Sequence, residues 1–472
     1  MLSQESIAYP CIIILRMKIH GTLNRVIFLA AVDQMIDRHP LLRATITTRG
    51  GRSFWTIHDT TDRSVRWTNP QNPSNWPKPI VMDLHTQTGL QIDVEEYLDP
   101  LDYSQRALVF FQFHHAIADG LGITTAIHEL WLLYDSLCLG RPVRLPELDP
   151  TALPKRNQFG LTRKTLLQLI PRQLVGLAGV RQYLMRKPVP LVPALRKRVA
   201  PNDHESSDSI VVPPSVNIVP STPMKDIDSV SFEFSDDSFS RLKFTAKQMK
   251  VSLNDLIASC IFHGCSRFRK SNGFQSSNEW IRMMVPVNMR ASREDQKQTA
   301  CNIVSSIFLD RTPIQINATD ALATSIQKEM DLIKKNRLAF MFIFSVWIRK
   351  MLTFRVNPHR FPKRCQTTIV FTNLGKLFSR SPLRDAQHRI VAGGQAASSG
   401  TSMECSVVIE SFEGLAPLTP YMYAAFTTIQ YAKKLILTMR YDGRVLSDSN
   451  AQQIIDATVS RLKQYASESL AS

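Results

Sequence analysis

The run His114-His115-Ala116-Ile117-Ala118-Asp119-Gly120 constrains this chain more than any other stretch. Ala107–Phe113 before it is almost wholly apolar and aromatic, the pattern of a buried strand. Gly122–Leu137 after it sets Ile123, Ile127, Leu130, Trp131 and Tyr134 at helical spacing. Two histidines therefore end a strand, and an acid and a glycine turn the chain into a helix. Neighbouring side chains of a strand point to opposite faces, so one histidine is expected to face a cleft while the other packs or braces. The same geometry argues against a shared metal, because adjacent strand positions chelate poorly and no third ligand stands at a helical i, i+4 spacing. Four constrained residues in this context point to chemistry rather than to two core histidines.

At 472 residues the chain is long enough for two or three lobes, and its hydrophobic fraction of 44% is ordinary for a globular protein. Seven cysteines lie scattered without CxxC pairs, which predicts a reducing compartment and no disulfide framework. Ala8–Leu15 is apolar, but Arg16 and Lys18 follow without a small-residue cleavage site, so this opening does not read as a signal peptide. The longest apolar run, Leu338–Ile348, is too short to span a membrane. These features predict a cytoplasmic protein.

The net charge of +17 is concentrated in two places. Pro154–Ala200 holds eleven Lys or Arg and no acid, and Leu332–Arg364 holds nine and no acid. Those segments carry +20 together, so the rest of the chain is net −3. Both are rich in large apolar residues and lack a nucleic-acid motif, so an anionic membrane surface is a better partner than nucleic acid. Helices with solvated cationic faces remain the alternative.

Taken in order, Tyr9–His20 reads as a strand, Asn24–Arg38 as a helix stopped by Pro40, and Ala44–Thr48 as a second strand. Gly50-Gly51 turns the chain toward Phe54–His58, and Leu90–Tyr97 is a further strand ahead of the motif strand. Pro171, Pro188, Pro190 and Pro193 break the helical pattern of the first basic segment. Pro201–Met224, rich in Ser, Pro and Asp, is the best linker. Alternation resumes with strand Val230–Phe234, then a helix capped near Ser235 and Asp236, then another at Ser252, where Asp255 completes a capping-box pattern. The predicted organisation is a first lobe at 1–200, a linker at 201–228 and a second lobe at 229–472.

The seven-residue run resembles the HHxxxDG motif of the chloramphenicol-acetyltransferase-like superfamily. That group includes condensation domains of peptide synthetases, alcohol acetyltransferases, wax ester synthases and the BAHD acyltransferases. The opening "GTLN…AVDQMIDRHPLLRATI" and the closing "KKLILTMRYDGRVLS…IIDATVSRL" resemble the family's first and last elements. "MMVPVNMR", 283–290, resembles the strand and turn where an arginine approaches the motif aspartate, which implies an Arg290–Asp119 pair. Phe371-Thr372-Asn373-Leu374-Gly375 resembles the "NLG" segment near the channel, and Asn302 sits where the family often has a glycine or asparagine. The DFGWG motif of the BAHD branch is absent, as are a GxSxG elbow and a carrier-attachment module.

The resemblance implies an α/β fold of two chloramphenicol-acetyltransferase-like lobes, with mixed sheets flanked by helices and an active-site channel between them. It implies an acyltransferase that uses acyl-CoA as co-substrate, or an acyl carrier protein, and an alcohol or amine acceptor. No cofactor or metal is needed, and the chain is expected to act as a monomer. His115, the motif's second histidine, would be the general base, since a neutral imidazole takes the acceptor's proton near neutral pH. His114, Asp119, Gly120 and Arg290 would shape the site. Thr372, Asn373 and Ser305 are candidates by position for holding the oxyanion, and Asn302 for binding substrate. A stand-alone condensation domain fed by a carrier protein and a non-catalytic binding module of the same fold stay open.

Overall fold

The computed structural model describes residues 5–59, 64–77, 79–159, 161–193, 228–290, 299–352, 364–394 and 405–468. The linker expected at 201–228 lies outside the described residues except for Asp228. The second basic segment is described to residue 352 and again at Arg364, and the first to residue 193.

The first half alternates strand and helix. β1 (Ile12–Gly21) leads to α1 (Arg25–Arg38), a hairpin of β2 (Ala44–Arg49) and β3 (Arg52–Ile57), then β4 (Val65–Thr68), β5 (Leu90–Leu98), β6 (Gln105–His114) and α2 (Gly120–Leu139). Asn24 caps α1 by accepting from the Ile27 N–H, and His39 closes it just before Pro40 opens a short 3-10 turn. Leu41 and Leu42 of that turn are buried, as their apolar character predicts. α1 and α2 pack on each other around Phe28, Trp131 and Tyr134, whose rings meet at 5.7–6.5 Å. Their buried faces share one core with Val109, Phe111 and Phe113 of β6.

In the second half come β7 (Asp228–Phe234), α5 (Asp236–Gln248), α6 (Leu253–Ser271), β8 (Ile281–Asn288) and β9 (Val304–Arg311). The short α7 (Pro313–Asn317), α8 (Thr319–Asn336) and α9 (Ala339–Leu352) follow. The chain then runs through β10 (Ile369–Lys376), β11 (Val391–Ala392), β12 (Val407–Leu415), β13 (Ala424–Tyr431), β14 (Lys434–Tyr441) and α10 (Asp448–Glu468). One sheet has the order β7-β14-β13-β10-β8-β9, and β10 runs parallel to both its neighbours. The other has the order β11-β12-β1-β6-β5-β4, antiparallel apart from β4 beside β5. Both sheets are thus mixed and flanked by helices, as expected. The sheets do not follow the order of the chain: β11 and β12, from the second half, complete the first sheet beside β1.

Two local expectations change. Ser252 caps α6 by accepting the Asp255 N–H, but its own N–H donates to Gln327 Oε1, and its hydroxyl donates to the Asp255 carboxylate. The short Asp side chain bonds the Ser hydroxyl instead of completing the box. Pro171 does not break the first basic segment: α3 (Arg163–Leu174) runs through it, ending soon afterwards, and α4 (Leu177–Met185) follows. The apolar run at 338–348 begins α9, and its first turn belongs to the interior, with Ala339 and Phe340 buried and the Phe340 ring 6.0 Å from Phe159. Among the described residues no helix is long and apolar enough to cross a membrane.

Candidate active site

The seven-residue motif lies where the two halves meet. His114 is the last residue of β6, paired with Ile12 of β1, and the His115 N–H donates to the Cys11 carbonyl at 2.7 Å. The turn 115–118 then delivers Asp119 as the N-cap of α2, with extended backbone angles, its carboxylate accepting from the Gly122 N–H at 2.9 Å.

The two histidines hold opposite tautomers. His114 is fully buried, with Nε2 2.8 Å from Glu5 Oε2 and Nδ1 accepting the Ala116 N–H at 3.1 Å. A carboxylate and an N–H on its two nitrogens put the proton on Nε2 and leave no lone pair for catalysis. His115 is half-buried, and its Nδ1 lies 3.1 Å from the Ala118 carbonyl. A carbonyl only accepts, so Nδ1 carries the proton and Nε2 keeps the lone pair. Burial pulls the His115 pKa below the ordinary imidazole value, and the Ala118 bond and the Asp119 charge only partly oppose it. The ring is therefore neutral at neutral pH.

Asp119 ties this turn to the other half. Its Oδ2 accepts from Arg290 Nη1 at 2.8 Å and from the Ile303 N–H at 2.7 Å, while Arg290 Nη2 donates to the Cys301 carbonyl at 2.9 Å. The side chains of Arg290 and Asp119 are only 7% and 6% exposed. Asn302 lies between these contacts, and its amide donates to the His115 carbonyl at 2.6 Å. The same nitrogen stands 3.3 Å from His115 Nδ1, a longer contact than the one to Ala118, so the Ala118 bond decides the tautomer. The structure thus puts Asn302 against the backbone of the candidate base. The half-buried Gly120 and the buried Gly122 set the closeness of this seam. A Cβ on Gly122 would stand 3.0 Å from the Cys301 oxygen and 3.1 Å from its nitrogen, and one on Gly120 would strike the Leu374 side chain.

The remaining candidates fall differently. Ser305 is buried on β9 and donates its hydroxyl to the Ala339 carbonyl at 2.6 Å, so its single proton is committed away from any oxyanion. Asn373 is exposed, with Nδ2 3.2 Å from Asn254 Oδ1 and Oδ1 accepting the Gly375 N–H at 2.7 Å. Thr372 is half-buried on β10, opposite Thr427 of β13.

Several participants carried no sequence signal. Glu5 is a lone acid outside any motif. The Ala118 and Cys301 carbonyls and the Ile303 N–H are backbone groups, which side-chain identity cannot reveal. His39 reads as part of an architectural stretch, yet it is fully buried and its Nδ1 accepts the Ala300 N–H at 3.0 Å, with Nε2 3.3 Å from Glu129. It therefore anchors the segment that holds Cys301, Asn302 and Ile303.

No family model matches the chain. A linear gramicidin synthase of Brevibacillus parabrevis is 25% identical over 138 residues, which are 28% of this chain and 2% of that protein. Solved structures match over almost the whole length. The first condensation domain of the CDA synthetase aligns with a TM-score of 0.64 at 11% identity, covering 99% of this chain and 93% of that one. The trichothecene 15-O-acetyltransferase TRI3 of Fusarium sporotrichioides also gives 0.64, at 12% identity, over 98% and 92%. The starter condensation domain of rhizomide synthetase, a mutant in complex with C8-CoA and Leu-SNAC, gives 0.62 at 10% identity, over 99% and 92%.

Proposed function

We propose that this chain, which has the fold of condensation domains and chloramphenicol-acetyltransferase-like acyltransferases, moves an acyl group from a thioester to a hydroxyl or amine. The observation that carries the reading is the tautomer of His115: Nδ1 is committed to the Ala118 carbonyl, so Nε2 of a neutral ring is left as a base. Nε2 takes the acceptor's proton as its oxygen or nitrogen attacks the thioester carbonyl. The tetrahedral intermediate collapses, the C–S bond breaks, and the imidazolium returns the proton to the departing thiolate. The products are an ester or amide and a free thiol, and no covalent enzyme intermediate or metal takes part.

His114, Asp119, Gly120, Arg290 and Asn302 act here by position. They hold the turn, the helix start and the facing strand in one arrangement, so that the reacting groups meet the base without reorganisation. Of the residues considered for the oxyanion, Thr372 suits the role best, since the hydroxyl of Ser305 is committed to Ala339 and the exposed Asn373 amide to Asn254. Acyl-CoA is the favoured donor, supported by a fold neighbour solved with C8-CoA, and a neighbour that is an O-acetyltransferase supports a hydroxyl acceptor. Seven cysteines, all free thiols, suit a reducing cytoplasm.

The test is thiol release. The protein is incubated with a series of acyl-CoAs or acylated carrier protein and a mixed pool of alcohols and amines, with free thiol read by a chromogenic disulfide and products by mass spectrometry. Acceptor-dependent thiol release that His115→Ala abolishes supports the reading, and the donor arm that reacts identifies the thioester. Release in neither arm would mark a binding module.

A further inference from the structure

The acid-free basic segments, far apart in sequence, meet in the fold. The inner side of α3 buries Leu169 and directs the Gln173 amide onto the carbonyls of Asn336 and Arg337 at 3.1 and 3.4 Å. Gly176, between α3 and α4, packs against the side chains of Leu338 and Met341. The Tyr183 ring of α4 lies 4.8 Å from Phe308 of β9. α3 and α4 are thus seated on the junction of α8 and α9, and their outer side faces no other described element.

That outer side is apolar. Leu167, Ile170 and Leu174 are 68%, 53% and 61% exposed, at the i, i+3, i+7 positions of one helical stripe. The stripe continues through Val175 and Leu177 to Leu184 and Met185, which are 69% and 65% exposed. Residues 167–185 hold seven of the 21 exposed large apolar side chains among the described residues, so this is a patch and not scattered surface. Lys164, Arg172, Arg181 and Lys187 are exposed around it, and none makes an ion pair with a described residue.

We propose that α3 and α4 dock on an anionic lipid bilayer, lying in the plane of the headgroups with the Leu167–Met185 stripe beneath them. Charge complementarity selects this occupant: residues 154–200 carry eleven cations and no acid in the sequence, and residues 332–364 carry nine and no acid. An apolar stripe flanked by cations over two successive helices is the pattern of an interfacial element, whose Lys and Arg stems reach up to phosphate oxygens. The contact surface is α3–α4 rather than the start of α9, because Ala339 and Phe340 point into the core. It also stands close to the site in covalent terms: Ser305, three residues after Asn302, holds the first carbonyl of α9 on which the α3–α4 pair rests. The proposal does not depend on the acyl-transfer reading, and its test contains no substrate.

The full chain is sedimented with sucrose-loaded vesicles of phosphatidylcholine containing increasing phosphatidylserine, at low and at high salt. Bound protein should rise with phosphatidylserine and fall with salt. The Leu174→Glu/Leu184→Glu pair should weaken partitioning roughly tenfold or more. Lys164→Ala, Arg172→Ala and Arg181→Ala should each weaken it by about fivefold on the anionic vesicles. All five positions are exposed, and an unchanged thermal melt shows that the fold is kept. Two results would overturn the proposal: wild-type protein that stays in the supernatant on serine-rich vesicles at low salt, or a glutamate pair that sediments like wild type.

Discussion

Replacing Asp119 by Asn changes one atom and tests the seam between the halves directly. In the native side chain Oδ1 accepts from the Gly122 N–H, while Oδ2 accepts from Arg290 Nη1 and the Ile303 N–H. An asparagine that keeps its oxygen on Gly122 caps α2 about as well as the acid does, so the cap contributes little to the loss. Its –NH2 then faces two donors, Arg290 and Ile303, with no acceptor for either. If the amide turns over, the donors trade places and the cap is lost instead. Removing one partner of a buried ion pair costs about 3–5 kcal/mol, because the remaining charge stays desolvated. Arg290 and Asp119 are nearly as sheltered as a core pair, so the loss should fall within that range. Urea unfolding followed by tryptophan fluorescence measures it. A double variant, Asp119→Asn with Arg290→Met, removes the stranded charge as well and should lose about 1–3 kcal/mol less than the two single losses together. An Asp119→Asn protein within about 1 kcal/mol of wild type, or strict additivity in the double variant, would refute the reasoning.

The other predictions concern the base and the closeness of the seam. His115→Ala should lower kcat roughly a hundredfold or more with the unfolding midpoint nearly unchanged, whereas His114→Ala, which strands Glu5 and the Ala116 N–H, should act mainly on stability. Equal, small effects of the two on kcat would contradict the assignment. Because burial lowers the His115 pKa, kcat/KM should hold on the alkaline side and fall only below the ordinary imidazole value of about 6.5. The same residue makes stability rise with pH up to that value: the unfolded chain binds the proton more readily, so the contribution is complete above about 6.5 and disappears as pH falls through the lowered folded value. Wild-type and His115→Gln unfolding measured across acid pH would show whether this dependence belongs to His115. Gly122→Ala should push the Cys301 backbone away, costing about 1–3 kcal/mol and reducing kcat, as unfolding and rate measurements on that variant would show.

Much of this was legible because the signals are local. A strand periodicity ending at two histidines and a helix periodicity beginning after Asp119 locate the turn to within a residue or two. Family resemblance set Arg290 beside Asp119 across 171 positions, and the structure brings them into contact. What stayed hidden depends on packing. Ser305 looks like an available hydroxyl until α9 presents a carbonyl to it. The exposed stripe of α3 reads in sequence like any amphipathic face, and only the placement of Leu169 and Gln173 shows which side is covered. The pairing of β12 with β1 was also out of reach: a run such as 407–415 announces a strand but not its neighbour.

That pairing sets a condition on how the molecule is made. β12 lies along β1 from Ile14–Leu415 to Gly21–Val407, so one edge of the central strand of the first sheet waits for residues nearly 400 positions downstream. At ordinary rates of translation that interval is roughly 20–80 s, during which β1 offers an open row of donors and acceptors flanked by apolar side chains. The amino-terminal half therefore cannot finish folding as it emerges. A chain cut short before residue 407 would carry one permanently unfinished sheet, prone to pair with its own copies.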